Sequence, residues 1–364
     1  MSVPAVPTGP PTPVPADQID KTFAKTTNLA SSGLNSKVLA VSDEYFAAAS
    51  NLLTPTPAVH KPGVFVHTGA WYDGWETRRH NPAEYDWAVI ELGAGSGVIE
   101  GVEIDTACFV GNYGEKVLVE GTYIADKSSK EAADVTKPEY AGWATILPVQ
   151  PCGPSRRQAW ALSMATGPVT HVRVRMYPDG GFARVRLYGH ALPPTLLSTA
   201  SESVPVEELS SALMGGLIVS ASNQHFTPAS NMLLPGRGQH MGDGWETARS
   251  RTPGHVDWAI TKLGLPGSVS KIVVDTKDFR GNFPRTIRVD GIDWQGSDDP
   301  SHDHSDWAEL VKGEPACKAD LEHVYEGDNL VGGTDAKRFT HIKLSIIPDG
   351  GVKRFRVFGK RENK

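Results

Sequence analysis

The chain has 364 residues, of which 39% are hydrophobic and 21% charged, and its formal net charge is −6. These values are typical of a soluble globular protein with two domains. The negative net charge gives no electrostatic reason to expect binding to nucleic acid or to an anionic membrane. No apolar stretch approaches the roughly 20 residues of a membrane span, so no membrane insertion is expected.

The cysteines and the N-terminal segment indicate the cellular compartment. Cys108, Cys152 and Cys317 are odd in number and far apart, so we expect no disulfide framework and a reducing environment. No basic region followed by an apolar core opens the sequence, and a cytoplasmic location is therefore predicted. Residues 1–20 are rich in Pro, Val and Thr at their start and are interpreted as a disordered tail.

The most informative feature is an internal repeat with a spacing of 170 residues. This period far exceeds the roughly 20–50 residues of solenoid and propeller repeats, so it indicates duplication of a whole domain. The recurring segments are 73–77 with 243–247 (Asp-Gly-Trp-Glu-Thr), 105–106 with 275–276 (Asp-Thr), 111–112 with 281–282 (Gly-Asn), and 178–181 with 348–351 (Pro-Asp-Gly-Gly). We predict a first repeat over 21–190, a Pro- and Ser-rich linker over 191–210, and a second repeat over 211–364.

Short apolar runs bounded by Gly and Pro predict β-strands throughout both repeats. The predicted strands are 86–93, 99–104 and 116–121 in the first repeat, and 257–264, 270–274 and 286–291 in the second. Residues alternate between apolar and polar on both sides of the Pro-Asp-Gly-Gly segment, which predicts a β-hairpin closed by this turn. The predicted fold is all-β, with an antiparallel sandwich or jelly roll in each repeat.

The densest polar cluster covers residues 67–81, a loop between strands, where binding sites are often placed on rigid sandwiches. Two carboxylates could act as base or acid, two arginines could bind a carboxylate or ureido oxygen, and two histidines could transfer protons near neutral pH. Aromatic side chains supply flat apolar walls. These candidates are Asp73, Glu76, Arg78, Arg79, His67, His80, Trp71 and Tyr72. Asp105 and Asn112 could face a substrate from the end of a strand.

A structural interpretation competes with the functional one. Because Asp-Gly-Trp-Glu-Thr-x-Arg survives in both repeats, it also fits a turn held by a Glu–Arg pair and a buried Trp. We assign Trp75, Trp245 and Thr77 mainly to structure, and the Pro-Asp-Gly-Gly segments to turn formation. The run at 302–304 (His-Asp-His) is interpreted as a solvated loop, so no metal site is predicted.

Several segments together resemble the allantoicase family. They are 42–46 (Ser-Asp-Glu-Tyr-Phe), 69–81 (Gly-Ala-Trp-Tyr-Asp-Gly-Trp-Glu-Thr-Arg-Arg-His-Asn), 85–87 (Tyr-Asp-Trp) and 103–112. The resemblance covers both repeats. It implies two tandem homologous jelly-roll domains of the galactose-binding-like type. It also implies hydrolysis of allantoate to ureidoglycolate and urea in purine degradation.

The chemistry of that reaction suggests roles for the residues of the loop. Arg78 or Arg79 would bind the substrate carboxylate, and Glu76 would act as a general base. The departing urea nitrogen would be protonated by His67, His80 or Asp73. Trp71, Tyr72, Asp105 and Asn112 would contact the rest of the substrate, and the second repeat offers Glu246, Arg249, Asp275 and Asn282.

The resemblance also implies a homo-oligomer. Some family members respond to metals, but no metal site is evident here, so we expect no cofactor while a divalent metal stays open. The alternative function is a non-catalytic tandem β-sandwich that binds carbohydrate, because loops rich in aromatic, Asp, Asn and Arg residues also suit sugars. The lack of a secretory signal and of a disulfide framework argues against a lectin.

Overall fold

The computed structural model describes residues 4–195 and 204–362. The chain divides into two compact units, Met1–Leu192 and Pro193–Lys364. The predicted linker over 191–210 is therefore too long at both ends. Ala191 still belongs to the last strand of the first unit, and Glu207–Glu208 form the first strand of the second. Residues 196–203 of that linker lie outside the described residues.

The first unit consists mostly of short strands. They are β1 (Thr12–Val14), β2 (Thr27–Asn28), β3 (Lys37–Val41), β4 (Phe65–Val66), β5 (Gly69–Ala70), β6 (Trp75–Glu76), β7 (Asp86–Glu91), β8 (Gly97–Asp105), β9 (Lys116–Thr122), β10 (Ala144–Pro151), β11 (Arg157–Ala161), β12 (His171–Tyr177), β13 (Gly181–Phe182) and β14 (Arg184–Ala191). The helices are α1 (Ile19–Thr22), α2 (Lys130–Asp134) and 3-10 turns at Ala16–Gln18, Ser32–Leu34 and Ala49–Leu53.

Two antiparallel five-stranded sheets, in the orders β1-β11-β8-β14-β2 and β10-β9-β12-β7-β3, form the first unit. Alternate residues of both sheets are apolar and fully buried, including Val102 and Ile104 on one sheet and Val172 and Val174 on the other. Each such side chain contributes about 1.5–3 kcal/mol when it leaves water. The core therefore lies between the sheets, as in a β-sandwich.

The second unit repeats this plan. Its strands are β15 (Glu207–Glu208), β16 (Leu217–Ala221), β17 (Trp245–Glu246), β18 (Asp257–Gly267), β19 (Lys271–Asp275), β20 (Thr286–Ile292), β21 (Ala308–Glu309), β22 (Glu322–Glu326), β23 (Phe339–Ile347), β24 (Gly351–Val352) and β25 (Arg354–Gly359), with 3-10 turns at Ala212–Met214, Ala229–Leu233, Met241–Asp243 and Gly327–Asn329. Its main sheets have the orders β15-β25-β19-β22 and β16-β18-β23-β20-β21. The predicted all-β fold of two tandem homologous β-sandwiches is confirmed. No helix within the described residues is long and apolar enough to cross a bilayer.

The predicted hairpin around each Pro-Asp-Gly-Gly segment is wrong. β12 pairs with β7 and β9, whereas β14 pairs with β8 and β2, so the two flanking strands belong to different sheets. Alternation of apolar and polar residues has the same period in both sheets and does not reveal which strand is the partner. The segment instead carries the chain from one sheet to the other, through the short strand β13.

The predicted disordered tail over 1–20 is also wrong for the residues that the structure describes. β1 pairs with the edge strand β11, with Val14 opposite Ala159. Ile19 is fully buried, and the ring of Phe23 stacks on Tyr188 with 4.3 Å between centroids. The composition of the segment does not reveal that it is structured, because a few apolar residues spaced along a polar segment are enough to cover an exposed sheet edge.

Phe23→Ala should lower the free energy of unfolding by about 3 kcal/mol, since the variant loses a buried ring that packs on the first sheet. Chemical denaturation would measure the loss. The control is Val149→Ala, whose side chain is exposed and should change stability by less than about 0.5 kcal/mol. Equal stability of the Phe23 variant and the wild type would show that this segment does not support the fold.

Candidate active site

Three segments of the first unit meet beside β6, namely the 73–81 loop, the 105–114 loop and the 178–181 turn. Gly181 lies opposite Glu76 in the β6–β13 pair. The backbone N–H of Thr77 donates to the Gly180 carbonyl at 2.8 Å, and the Gly180 N–H donates to Thr77 Oγ1 at 3.1 Å. Gly180 has φ +130°, and a Cβ there would lie 2.8 Å from the carbonyl oxygen of Asn112, so only glycine allows this approach.

Trp75 anchors the 73–81 loop to the interior of the first unit. It is fully buried, and its Nε1–H donates to the Asp43 carbonyl at 2.7 Å. Trp245 repeats the contact in the second unit, donating to the Asn223 carbonyl at 2.8 Å. These contacts agree with the structural role that we assigned to both tryptophans.

Glu76 occupies the centre of the three segments. Asn112 Nδ2 donates to Glu76 Oε1 at 2.7 Å, so the partner of the glutamate is an asparagine from the second segment and not the arginine that a Glu–Arg pair would require. Glu76 is only 7% exposed. Burial raises the pKa of its carboxyl above the ordinary value, although the hydrogen bond from Asn112 and the charge of Arg79 oppose that rise. A carboxylate of this kind is a stronger base than one in water.

Arg79 and His80 are held by Asp179 of the Pro-Asp-Gly-Gly turn. Arg79 Nε lies 3.3 Å from Asp179 Oδ1, and an Arg79 Nη2–H donates to the Gly111 carbonyl at 3.3 Å. The backbone N–H of His80 donates to Asp179 Oδ2 at 2.8 Å. Sequence reasoning assigned Asp179 to the turn alone and missed that its side chain organises the 73–81 loop.

Arg78 points elsewhere. Its backbone N–H donates to Asp43 Oδ2 at 2.6 Å, and its Nε and Nη2 donate to Asp43 Oδ1 at 3.0 and 2.8 Å. Its guanidinium also lies 5.4 Å from the centre of the Tyr45 ring. Asp43 and Tyr45 belong to one of the segments that carry the family resemblance, so that segment serves to hold Arg78.

Asp73 and Asp105 belong to a separate group beside Arg184. Asp73 Oδ2 accepts hydrogen bonds at 2.8 Å from Arg184 Nη2 and from the backbone N–H of Val59. Burial opposes ionisation of Asp73, but these hydrogen bonds prevail and hold its pKa below the ordinary value. Asp105 Oδ1 accepts from the backbone N–H of Ala107 at 2.8 Å, and burial raises the pKa of Asp105.

His67 lies between β4 and β5, and Trp71 and Tyr72 follow β5 directly. His67 is exposed and makes no hydrogen bond or ion pair with another described residue. Lys61 Nζ lies 4.7 Å from the centre of the Trp71 ring, and Tyr72 stacks on Phe109 with 4.8 Å between ring centroids. Tyr72 therefore contacts the 105–114 loop, whereas no contact joins His67 to Glu76.

The second repeat keeps the central pair and changes its surroundings. Asn282 Nδ2 donates to Glu246 Oε1 at 2.5 Å. Arg249 is exposed and has no hydrogen bond or ion pair with another residue that the structure describes. Asp275 accepts two hydrogen bonds from Arg237, at 2.8 and 2.9 Å. The two repeats thus share a Glu–Asn pair but differ around it.

Within residues 4–195 and 204–362, no group of three or more His, Cys, Asp and Glu side chains is arranged to hold a metal ion. In the His-Asp-His run, His302 stacks on Trp258 at 4.4 Å, whereas His304 meets Trp294 edge-on at 5.0 Å. The two imidazoles therefore contact different rings.

The duplicated site and fold match a known family. A family model described as the allantoicase repeat matches residues 27–192 and again residues 207–362. The chain belongs to the allantoicase family. The two matched ranges include the three segments around Glu76 and their counterparts around Glu246.

Individual relatives of the allantoicase family agree over almost the whole chain. The chain is 52% identical to an allantoicase of Neurospora crassa over 97% of its length and 96% of that protein. It is 44% identical to an allantoicase of Saccharomyces cerevisiae, with 92% and 94% covered. The crystal structure of the Saccharomyces cerevisiae allantoicase superposes with a TM-score of 0.81 at 38% identity, covering 96% of this chain and 99% of that one.

Stability should depend on pH through Glu76. Because its pKa is raised, the folded protein holds this proton more tightly than the unfolded chain. The protonated carboxyl therefore stabilises the fold at low pH, and this contribution is lost as the pH rises from the ordinary value of 4.5 through the raised folded value. Glu76→Gln removes this titration. The free energy of unfolding of the variant, relative to that of the wild type, should therefore increase over that pH interval and remain increased at pH 7.

Denaturation curves at a series of pH values would measure this difference. Glu115→Gln is the matched control, because it makes the same change at an exposed residue of the neighbouring segment. A difference between Glu76→Gln and the wild type that stays constant from low to neutral pH would contradict the assignment.

Proposed function

We propose that this chain hydrolyses allantoate to ureidoglycolate and urea in purine degradation. The observation that carries the proposal is the nearly full-length similarity to allantoicases, which includes both repeats and every segment of the candidate site. The reaction consumes one water. The bond between the central carbon and one ureido nitrogen breaks, the hydroxyl group goes to the carbon, and a proton goes to the departing nitrogen of urea.

Glu76 is the proposed general base. Its Oε1 accepts from Asn112, while its Oε2 accepts no hydrogen bond from another described residue and is available to a water molecule. Burial and the raised pKa make it a better proton acceptor near neutral pH than an exposed glutamate. Asn112 fixes the orientation of the carboxylate and offers its amide oxygen to ureido N–H groups.

Arg79 is the better of the two arginines for binding the substrate carboxylate. Asp179 and the Gly111 carbonyl hold it beside the Glu76–Asn112 pair, whereas Arg78 is already occupied by Asp43. A planar guanidinium with several N–H donors suits a carboxylate.

His80 is the proposed acid that protonates the departing nitrogen. It is exposed, follows Arg79 directly, and is positioned through its backbone by Asp179. Asp73 is a weaker candidate because Arg184 keeps it ionised. His67 is also weaker, because the β4–β5 hairpin that carries it would have to move towards the substrate. Trp71, Tyr72 and Asp105 stay proposed contacts of the substrate.

We also propose that the reaction needs no cofactor, that the protein forms a homo-oligomer, and that it works in the cytoplasm. The first of these is tested together with the activity, and light scattering on the purified protein tests the second. Fluorescent tagging in its native cell tests the third.

Purified protein should release urea and ureidoglycolate from allantoate in equal amounts. A chelator should leave the rate unchanged, because the proposed base, acid and carboxylate-binding group are all side chains. Parallel assays of both products, with and without chelator, make the measurement. A folded protein that binds carbohydrate and releases no urea would favour the binding-protein alternative, and loss of activity with chelator would reveal a required metal.

Replacement of the central residues should separate chemistry from binding. Glu76→Gln should lower kcat by about 10²–10⁴-fold, as loss of a general base does. Arg79→Ala should mainly raise KM, by about tenfold or more, because it removes a charged contact to the substrate carboxylate. Arg78→Ala should change KM less than Arg79→Ala. Steady-state kinetics of the three variants would test this order, and full activity in Glu76→Gln would reject the proposed base.

A further inference from the structure

The two repeats differ at the aspartate that ends the strand before the 105–114 loop and at its counterpart in the second repeat. Asp105 Oδ1 and Asp275 Oδ1 each accept a backbone N–H two residues later, at 2.8 and 2.9 Å. Asp275 is also bound by Arg237, whose Nε and Nη2 donate to Oδ2 and Oδ1 at 2.8 and 2.9 Å. Asp105 is 5% exposed, and its Oδ2 accepts no hydrogen bond from another described residue.

Backbone contacts show which residue of the first repeat corresponds to Arg237. The buried Arg184 donates from Nε to the Thr56 carbonyl at 3.0 Å, and its counterpart Arg354 donates from Nε to the Gly236 carbonyl at 2.9 Å. Thr56 and Gly236 are therefore equivalent, although the simple spacing of the repeat does not align them.

A second contact gives the same alignment. The backbone N–H groups of Val59 and Gln239 donate, at 2.8 and 2.6 Å, to the aspartate of the Asp-Gly-Trp-Glu-Thr motif in their own repeat. Val59 and Gln239 are thus equivalent, and Pro57 stands where Arg237 stands. Proline carries no side-chain donor, so Asp105 has no equivalent of the arginine that binds Asp275.

Two further positions near Asp105 also differ between the repeats. Lys353 is fully buried, with Nζ 2.9 Å from Asp278. Its counterpart is Ala183, since the backbone N–H of both residues donates at 2.7 Å to the carbonyl of the repeated aspartate. Cys108 replaces Asp278 at the spacing of the repeat. At these two positions the second repeat therefore has charged side chains, and the first repeat has small uncharged ones. Arg157 and Arg186 act on Asp105 through their charge, but their guanidinium groups contact Glu103.

A buried carboxylate without a cationic partner is unfavourable. Burial raises the pKa of Asp105, and the charge of Glu103 adds to the rise, although the hydrogen bond from Ala107 and the charges of Arg186 and Arg157 oppose it. Asp105 has no arginine at the position that Arg237 occupies in the second repeat. An external group with N–H donors would supply the missing hydrogen bonds.

We propose that Asp105 binds the planar N–H donors of a ureido group of the substrate, and that in the second repeat the guanidinium of Arg237 permanently occupies the equivalent position. A ureido group and a guanidinium are both planar and both present adjacent N–H donors to a carboxylate. Each chain then has one open ureido-binding position, in the first repeat. This inference rests on the proposed function, because it names the residue that receives one part of the substrate.

The test uses the whole chain and ureidoacetate, a carboxylate with a single ureido group, as the probe. Pro57→Arg would bring the clamp of the second repeat into the first, and Asp105→Asn would replace one acceptor oxygen by an amide. Each variant should weaken binding of ureidoacetate in calorimetric titration by about 10- to 100-fold, and should raise KM for allantoate by a similar factor. Arg288→Ala, which removes an exposed arginine paired with Glu314, is the control and should leave both values within about twofold.

Asp105→Asn is nearly isosteric and keeps the test valid where Pro57→Arg fails to fold, and circular dichroism monitors both. Native folding with wild-type affinity and wild-type KM in Asp105→Asn would overturn the proposal. Failure of the proposed function gives a different result. In that case the wild type releases no urea, while binding of ureidoacetate still depends on Asp105.

Discussion

The short antiparallel pair of β6 with β13 positions everything else in the candidate site. It places Glu76 opposite Gly181 and, through the two hydrogen bonds between Thr77 and Gly180, joins the loop before the first long strand to the turn near the end of the repeat. Residues separated by about a hundred positions are thereby fixed within hydrogen-bond distance. Because this pair spans the crossing between the two sheets, the site is attached to both layers of the sandwich, which favours a fixed geometry.

That attachment explains why a polar cluster can be buried here. Glu76 loses water on folding, and the amide of Asn112 and the charge of Arg79 compensate only in part, so its pKa stays raised. Asp179 pairs with Arg79 and accepts a hydrogen bond from the backbone N–H of His80, so it holds both residues beside Glu76. The arrangement places a carboxylate of raised pKa next to a cationic group and an amide.

Sequence reasoning predicted the duplication, the long strands and the all-β class because these depend on local patterns of hydrophobicity and on exact recurrence. It paired β12 with β14 wrongly, since alternation reports that a strand has two faces and not which strand lies beside it. It took the N-terminal segment as disordered because composition does not register Ile19 and Phe23 packing on a distant sheet. It left Arg78 and Arg79 undecided, because only the fold shows that Asp43 receives one and Asp179 the other.

Retention of a residue in both repeats does not separate structure from function. Trp75, Trp245 and the Glu–Asn pairs are kept in both copies, and each of them holds loops together. The environment of a retained residue is more informative. Asp105 and Asp275 end equivalent strands, yet the side chain of Asp275 accepts two hydrogen bonds from an arginine, whereas that of Asp105 accepts one from a backbone N–H. The two aspartates are therefore identical in the sequence but differ in the hydrogen-bond donors around them, and only the fold reveals this difference.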